Sequence, residues 1–553
     1  MRHPSAARRP AGRNKQRGVA ILLTLALVGL LVAIFVVVLV NDLVRENQRR
    51  RQTEEALAKA KEGLIGYAVG VNVSATCGTP TSSADCRRPG DLPCPDLDDD
   101  GRAEATCGNV AGTTGQSLRI GRLPWLTLGL PDLRDGDGER LWYAVSAHFK
   151  SGNRTLCNSP VAAGCLNSST AGTITLSDRA GTLVNDGSDP NPPSGLVAVV
   201  IAPGGALIRD SGTSQDRSCN GGSCTPAGNT AGICSSANPT TTAKCNPVNY
   251  LDVVSGGEDN ADFVDGDSFN GFISGPIFAA NGNQIVNDTI MPIKYEDLMP
   301  LVEKRVAREA RNCLTAYSVY PTSVFTTPPT DPSSHQRYPW AASISSSTGS
   351  TYTGQTNYRF GRLPDTFDSS LLGILPSSGF GTLGSVVVAV CALTPSLCMS
   401  NGWPAAATPT CSIPAGGGGW WVNWKDSVFY GVATDYAPDA PLPLASLLTL
   451  INQLIFNPLG LPGLFDPPAK PAACGTPGTC LVVSPPSATV GRKLVVVVAG
   501  RPLAGQQRST TANRQNIANY LENSNASNLG GPTPPTFTVQ PRSTTFNDFL
   551  LYE

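Results

Sequence analysis

The sequence predicts an α+β protein: an N-terminal helix, then two duplicated β-rich domains, each opened by a helix packed on an antiparallel sheet. Short apolar runs separated by Gly, Pro, Asn and Ser predict strands joined by long loops. Helical periodicity is concentrated in residues 42–68 and 296–317. The cysteines number 16, an even count, and all lie at or after Cys77, which predicts disulfides in an oxidising compartment.

The N-terminus combines a basic leader with a long apolar segment. Residues 1–18 form the leader, and its first 17 residues include six Lys and Arg and no acidic residue. Residues 19–40 are 22 consecutive uncharged residues, about 33 Å of helix, which is enough to cross a bilayer core as a transmembrane helix. The charge asymmetry predicts a single pass with the N-terminus in the cytoplasm. A cleavable secretory signal has a shorter apolar region, but a plain signal anchor stays open as an alternative.

Two amphipathic helices are expected, one at the start of each domain. The first, residues 41–68, continues the apolar segment into domain 1, and its apolar face consists of Leu57, Ala60, Leu64 and Ala68. The second, residues 296–317, has an apolar stripe made of Leu298, Leu301, Val302, Val306, Ala310, Cys313 and Leu314. This spacing is typical of helices that bury one face against a core.

Six short sequence motifs occur twice, in the same order, in the part of the chain that we expect to be exported. After the first helix they are GRLPWL (121–126), LWYAVS (141–146), VAVVIAPGGAL (197–207), QDRS (215–218), NYLD (249–252) and VNDTI (286–290). After the second helix they are GRLPDT (361–366), VFYGVA (428–433), VVVVAGRPLAG (495–505), QQRS (506–509), NYLE (519–522) and FNDFL (546–550). We therefore predict two related domains, residues 53–293 and 294–553; the alternative is coincidence among common strand and turn words.

The N-terminal segment resembles the type IV pilin and type II secretion pseudopilin superfamily. The resemblance is carried by the leader ending in Lys15–Gln16–Arg17–Gly18, the apolar stretch from Val19, and its continuation into an amphipathic helix. It implies that a prepilin peptidase cuts after Gly18 and that Val19 becomes a methylated N-terminus. It also implies that the apolar half-helix packs among other pilin or pseudopilin subunits in a filament.

One position departs from the family pattern. Most members have Glu at the fifth mature position, where this sequence has Leu23. The tip-type minor pseudopilin and some minor pilins also lack that Glu, so the resemblance points to a minor subunit. A carboxylate inside a membrane is costly unless it is paired, and in filaments it can meet a neighbour's N-terminal amine. A subunit without it inserts cheaply and could sit at a filament tip.

The sharpest local motif is CPDLDDDGRAEATC, residues 94–107. Asp96, Asp98 and Asp100 stand at alternate positions before Gly101, as at the start of a calcium loop. An EF-hand would have a bidentate Glu where Cys107 stands, and Glu104 is a possible substitute. The loop resembles the shorter calcium loops of pseudopilins and extracellular repeats more than an EF-hand. The alternative is a solvated acidic turn, the reading we prefer for residues 131–139 and 258–271.

The cysteines predict several short-range disulfides. The candidates are Cys94 with Cys107, Cys219 with Cys224, Cys234 with Cys245, Cys391 with Cys398, and Cys474 with Cys480. Zinc is disfavoured because the chain has no Cys-x-x-Cys and its three histidines lack ligand spacing. Exact pairing cannot be deduced from sequence alone.

Composition and motifs argue against several function classes. The net charge is −1, so we expect no nucleic-acid partner. We find no nucleophile elbow, P-loop or His-Glu-x-x-His motif, and we therefore expect no enzyme. The aromatic cluster of Trp420, Trp421 and Trp424 could form a binding platform, but we assign it to the core of the second domain.

These observations support two hypotheses from different classes. The first is a minor pilin-like or pseudopilin-like subunit of a type IV pilus or type II secretion filament, anchored in a bacterial inner membrane. Its bulk would lie in the periplasm or in an extracytoplasmic filament, with prepilin peptidase and other subunits as partners. The second is an uncleaved, membrane-anchored periplasmic or surface binding protein such as an adhesin.

Overall fold

The protein is described from a computed structural model. The described residues are 15–73, 87–105, 107, 120–150, 165–186, 195–215, 217, 246–262, 271–319, 338–346, 352–355, 357–365, 411–413, 419–437, 474, 479–485, 487–528 and 535–553. They confirm a mixed α+β protein with several sheets that contain antiparallel strands, and with disulfides. The pairs Cys219 with Cys224, Cys234 with Cys245 and Cys391 with Cys398 lie outside these residues.

Two long helices dominate the helical part. They are α1 (Lys15–Gly70) and α2 (Tyr295–Val319). Shorter helices lie at Pro247–Asn249, Trp421–Trp424, Lys425–Ser427, Thr434–Tyr436, Thr511–Arg514, Ile517–Asn519 and Asn523–Ser527. Both segments with helical periodicity therefore form helices.

The strands fall into two groups along the chain, separated by α2. The first unit, as we call it, contains β1 (Ile120–Arg122), β2 (Trp142–Val145), β3 (Thr175–Ser177), β4 (Leu183–Asn185), β5 (Ala198–Ala202), β6 (Gly271–Ile273), β7 (Ile277–Phe278), β8 (Gln284–Val286) and β9 (Thr289–Ile293). The second unit contains β10 (Phe360–Arg362), β11 (Val428–Val432), β12 (Leu481–Ser484), β13 (Ser487–Arg492), β14 (Leu494–Val498), β15 (Thr536–Thr538) and β16 (Phe549–Tyr552).

Each unit has one four-stranded antiparallel sheet. Sheet A has the order β1-β2-β5-β9, and sheet B has the order β10-β11-β14-β16. Each unit also has a three-stranded sheet, β4-β3-β6 in the first and β13-β12-β15 in the second. In both smaller sheets one outer pair is antiparallel and the other is parallel, a parallel pairing that the sequence did not indicate.

The two long helices pack together between the two four-stranded sheets. Helix α1 contacts β5 and β9 of sheet A, and α2 contacts β14 and β16 of sheet B. The helices also contact each other, and one continuous hydrophobic cluster joins them to both sheets. The two units therefore share a core along the helix pair.

The two inner strands of sheet A, β2 and β5, are buried on both faces, which explains their continuous apolar sequences. In β5, Ala198 and Val200 face the shared core, whereas Val199 and Ile201 face a second cluster beneath the smaller sheet. Successive side chains of a strand point to opposite faces, so a strand covered on both sides is apolar throughout.

The helix faces predicted from periodicity agree with the packing, with one exception. Leu57, Ala60, Leu64 and Ala68 are buried, as is the stripe of α2 apart from Leu301, which is 44% exposed. Leu301 is wrongly predicted because it lies at the margin of the stripe, one residue before the buried Val302. The three tryptophans, Trp420, Trp421 and Trp424, are buried as expected of core residues.

The N-terminal part of α1 differs from its C-terminal part. From residue 22 to residue 52, the side chains that are described are exposed, including Leu23, Leu30 and Phe35. Residues 19–40, the expected membrane span, lie within this helix. Among the residues that the structure describes, no helix combines the length and the apolar character required to cross a membrane.

Candidate functional site

The acidic loop at residues 94–107 is fixed at both ends to the first unit. A disulfide joins Cys94 and Cys107, whose Cα atoms are 5.5 Å apart. Asp96 and Arg122 form a backbone bridge, in which each N–H donates to the other's carbonyl oxygen at 3.0 and 2.8 Å. The loop is thus attached to the edge strand β1 of sheet A.

Three of the four predicted ligands converge. Oxygen atoms from Asp96, Asp98 and Glu104 all lie within 4.8 Å of one another. Calcium binds oxygens at about 2.3–2.6 Å, so ligands around one ion are separated by up to about 5 Å. The Glu that replaces the missing EF-hand ligand is therefore close enough to share an ion with the two aspartates.

The fourth predicted ligand, Asp100, is not part of this group. Its Oδ1 accepts a hydrogen bond from the backbone N–H of Arg102 at 2.7 Å, and the residue is exposed. Asp100 therefore stabilises the turn that follows the cluster. Its carboxylate still lies close enough to Asp98 to raise the pKa of that residue, so its role as a ligand stays a prediction.

The loop backbone is held by its own side chains. Asp96 is buried, and its Oδ2 accepts from the N–H of Gly101 at 2.7 Å. Gly101 has φ +85°, a left-handed conformation that favours glycine, and a Cβ there would lie 2.7 Å from the indole nitrogen of Trp125. Asp99 also has positive φ and pairs with Arg140 at 2.7 Å, away from the cluster.

Burial and mutual repulsion make the ionised cluster unfavourable without a cation. The pKa of Asp96 is raised to about 7, chiefly by burial and also by the charges of the neighbouring aspartates, against the hydrogen bond from the Gly101 N–H. The pKa values of Asp98 and Glu104 are also raised, first by burial and then by adjacent carboxylates. A cation would offset this repulsion, and three carboxylates are a suitable set of hard oxygen donors for calcium. The ion would need further oxygens from backbone or water.

The other acidic segments have different roles. Asp135, in residues 131–139, accepts hydrogen bonds from the N–H groups of Asp137, Glu139 and Gly204, so it organises a turn. In residues 258–271, Asp262 is described, whereas Asp265 and Asp267 lie outside the described residues. The described residues contain one cluster of three metal-ligating side chains, the one at Asp96.

The second unit uses the corresponding edge differently. There Ala342 forms the backbone bridge to Arg362, at 3.0 and 2.9 Å, in place of the Asp96–Arg122 bridge. No acidic residue stands in YPWAAS, residues 338–343. The edge-strand contact is the same in both units, and the carboxylates are present in one.

The sequence did not indicate two kinds of buried polar pair: a pair of acidic residues in each unit, and a lysine–aspartate ion pair in the second unit. In the first unit, Asp252 and Asp288 exchange backbone hydrogen bonds through their carboxylates; in the second, Glu522 and Asp548 do the same. The second unit also buries Lys425 against Asp365. The repeated motifs NYLD and NYLE contain Asp252 and Glu522, so the repeat was the feature of the sequence that could have pointed to the acidic pairs.

The disulfides join cysteines that are close in sequence and cysteines that are far apart. Cys474 and Cys480 are joined, as are Cys94 and Cys107. Cys313 of α2 pairs with Cys411 across 98 residues, which spacing alone could not indicate. The predicted processing residues, Gly18 and Val19, both lie in α1.

Comparison with known proteins gives no relative. No protein-family model, no curated protein and no solved structure matches this chain.

Proposed function

We propose that the protein is a minor pilin-like or pseudopilin-like subunit, anchored in a bacterial inner membrane by residues 19–40 and assembled near the tip of a filament. The observation that carries this proposal is the division of α1 into two parts. One uninterrupted helix, Lys15–Gly70, exposes the apolar side chains of its N-terminal part and buries one face of its C-terminal part. Such a helix presents an apolar surface to lipid or to other subunits while holding the exported part at its far end.

The first unit contacts α1 from Arg49 onwards. Gln52 donates its side-chain N–H to the carbonyl oxygen of Asp135 at 2.8 Å, and Thr53 Oγ1 accepts from the N–H of Gly136 at 2.9 Å. Arg49 lies 3.3 Å from Asp137. Residues 15–48, about 50 Å of helix, therefore project beyond the first unit.

The repeated architecture supports a second element of the proposal, that residues 53–293 and 294–553 derive from duplication. Strand order is the same in sheets A and B and in the two smaller sheets. Arg122 stacks on Tyr250 at 4.0 Å, and Arg362 stacks on Tyr520 at 4.5 Å. Because the two units share their core across α1 and α2, they would act as one rigid head.

Calcium at Asp96, Asp98 and Glu104 is the third element. These residues would hold the ion between the disulfide-tied loop and sheet A. The ion would supply positive charge that neutralises three buried or half-buried carboxylates. The expected role is to order the loop of an exported head, since an extracellular environment supplies calcium at concentrations suited to sites of about 10⁻⁴–10⁻³ M.

The processing step is tested by a substitution at the leader junction. In cells that contain a prepilin peptidase, wild type should lose residues 1–18, whereas Gly18→Leu should keep them. Gly29→Leu is the matched control, because it adds the same side chain within α1 where a Cβ meets nothing within 4 Å. If Gly18→Leu and wild type have the same N-terminus, the pilin assignment loses its main support and the uncleaved anchored binding protein is favoured.

A further inference from the structure

Lys425 and Asp365 form an ion pair that is almost completely removed from solvent. Lys425 Nζ lies 3.2 Å from Asp365 Oδ2, and the side chains are 4% and 0% exposed. Asp365 follows β10, and Lys425 precedes β11, its antiparallel neighbour in sheet B. The pair therefore connects two adjacent strands at one end of the sheet.

The pair lies among other buried polar side chains. The Tyr352 ring lies 4.9 Å from Lys425 Nζ, and the Tyr352 hydroxyl donates to the buried carboxylate of Asp426. Burial raises the pKa of Asp365, although Lys425 opposes this. Low solvation disfavours the charged forms of both groups. Asp365 Oδ2 is 3.2 Å from Nζ, close enough to accept the proton that an ammonium must lose before its nitrogen can act as a nucleophile.

The carboxyl group is also oriented by the backbone. The N–H of Tyr352 donates to Asp365 Oδ1 at 2.6 Å, and the N–H of Asp365 donates to the Tyr352 carbonyl oxygen at 2.9 Å. The two oxygens of Asp365 therefore have different neighbours. Oδ2 lies near Lys425 Nζ, and Oδ1 accepts the hydrogen bond from the Tyr352 N–H. A backbone N–H aimed at one carboxyl oxygen stabilises negative charge that develops there during nucleophilic attack.

We propose that Lys425 and Asp365 become joined by an intramolecular amide bond in the folded protein. Lys425 Nζ forms a bond to Asp365 Cγ, and the bond from Cγ to Oδ2 breaks. The ammonium group gives up two protons, Oδ2 takes both, and it departs as water; no oxidant or further reactant is required. Oδ1 remains as the amide oxygen, on the N–H of Tyr352.

The product would suit the position better than the ion pair does. An amide carries no net charge, so the buried site no longer holds two ions. A covalent link between residues 60 apart in sequence also restricts the unfolded chain, as a disulfide does. A head displayed on a filament would thereby gain a cross-link that reduction does not open.

The chain supplies a matched control for the role of burial. Lys61 and Asp297 form the same type of pair at 2.8 Å, but their side chains are 24% and 30% exposed. Water reaches that pair and solvates both of its charges, so we expect no link there. The proposal does not depend on filament assembly, because the reacting groups belong to one chain.

The test is peptide mass analysis of the full-length wild-type protein after folding in an oxidising compartment. The protein is denatured, reduced and alkylated first, because disulfides also lower the mass, and is then digested with trypsin. In the sequence, the first tryptic site after Arg362 is Lys425. A linked protein resists cleavage at Lys425 and gives a longer peptide that starts at residue 363 and is lighter by one water.

Two variants establish where the water is lost. Lys425→Met and Asp365→Ala should each give peptides without the loss, and a second protease that cuts between the two positions should leave their fragments joined in wild type only. Recovery of peptide 363–425 ending in an unmodified Lys425 as the wild-type product would overturn the proposal. A link at Lys61 would overturn the argument from burial. Both readouts are the same in cells lacking a prepilin peptidase, so they do not depend on the proposed function.

Discussion

The two units share a framework and differ in the chemistry placed on it. In both, an arginine at the end of the edge strand stacks on a buried tyrosine: Arg122 on Tyr250, and Arg362 on Tyr520. A second arginine contacts the same rings, Arg217 at 4.8 Å and Arg508 at 4.3 Å. Equivalent contacts at positions 240, 270 and 291 residues apart (Arg122 and Arg362, Tyr250 and Tyr520, Arg217 and Arg508) indicate that this framework positions the strands in each unit.

The two units differ in the residues that lie beside their edge strands, β1 and β10. In the first unit the chain beside the edge strand carries the converging carboxylates of Asp96, Asp98 and Glu104, whereas in the second unit the described residue at this place is Ala342, which makes the backbone contact. The second unit instead buries the Lys425–Asp365 pair. A shared core can therefore support local chemistry that differs between its two units.

The largest expected effect comes from the glycines of the two edge strands. A Cβ at position 361 would lie 2.0 Å from the carbonyl oxygen of Ala342, and one at 121 would lie 2.7 Å from that of Asp96. Both Gly→Ala changes should destabilise the protein, Gly361→Ala by about 3 kcal/mol or more and Gly121→Ala by less. Thermal unfolding of both variants measures the difference.

Gly257→Ala is the control for these two variants, because its nearest neighbour would be 3.5 Å away. We expect it to melt close to wild type. If Gly361→Ala melts like Gly257→Ala, the edge contact does not hold the second unit together.

Calcium should give the next largest effect, and only through the first unit. Binding stabilises the folded state by RT ln(1 + [L]/Kd), which is about 0.4–1.4 kcal/mol in millimolar calcium for a site with a Kd of about 10⁻⁴–10⁻³ M. Asp98→Asn combined with Glu104→Gln should remove this gain, because both lie in the converging group. Asp100→Asn should keep most of it, since Asp100 caps Arg102.

The readouts are the melting temperature with and without millimolar calcium and the amount of bound metal by calorimetry. Magnesium should stabilise less, because it requires tighter octahedral geometry and retains its waters. Equal melting of wild type and the double variant in calcium, with no bound metal, would leave residues 94–107 as a polar turn.

The smallest expected effect concerns the paired carboxylates. Burial raises the pKa of Asp288 well above its ordinary value, with Asp252 as the next cause, while Asn260 and Arg217 oppose the shift. Burial also raises the pKa of Asp252 to about 6. A raised pKa means that the folded state binds protons more tightly, so this contribution is present at acidic pH and is lost as pH rises from about 4 through the folded pKa values.

Asp288→Asn imitates the protonated acid and should change stability near pH 5 by less than about 1 kcal/mol, while reducing the loss between pH 5 and 8. Asp548→Asn is the equivalent change in the second unit, where burial and Glu522 raise the pKa of Asp548. Urea unfolding across pH measures both. A variant that shows the wild-type pH dependence would exclude the carboxylate pair as its source.

Local patterns predicted the helices and their faces well. Leu57 and Leu64 are buried because a period of 3.6 places them together, and this requires no knowledge of partners. The exposed Leu301 shows the limit, since the width of the buried stripe depends on what packs against α2. The parallel pairs β3–β6 and β12–β15 are set by long connections and leave no mark in the strands themselves.

Sites were predictable where all their residues lie in one segment. Asp96, Asp98 and Glu104 come from one short loop, whereas Lys425 and Asp365 meet only after β10 and β11 pair. Spacing did not reveal that Asp100 also accepts a hydrogen bond from the N–H of Arg102 in its own turn. The shared core between α1 and α2 likewise required the fold, because each helix alone indicates one apolar face.

The central claim, a pilin-like subunit processed at the leader junction, is tested most directly by mass analysis of the N-terminus. The protein should be recovered at its natural level from cells that assemble filaments, with the filament fraction analysed separately. The account predicts an N-terminal peptide that begins at Val19 and carries one methyl group on its amine. A chain that still begins in residues 1–18, or that begins at a residue beyond the apolar segment, would contradict it.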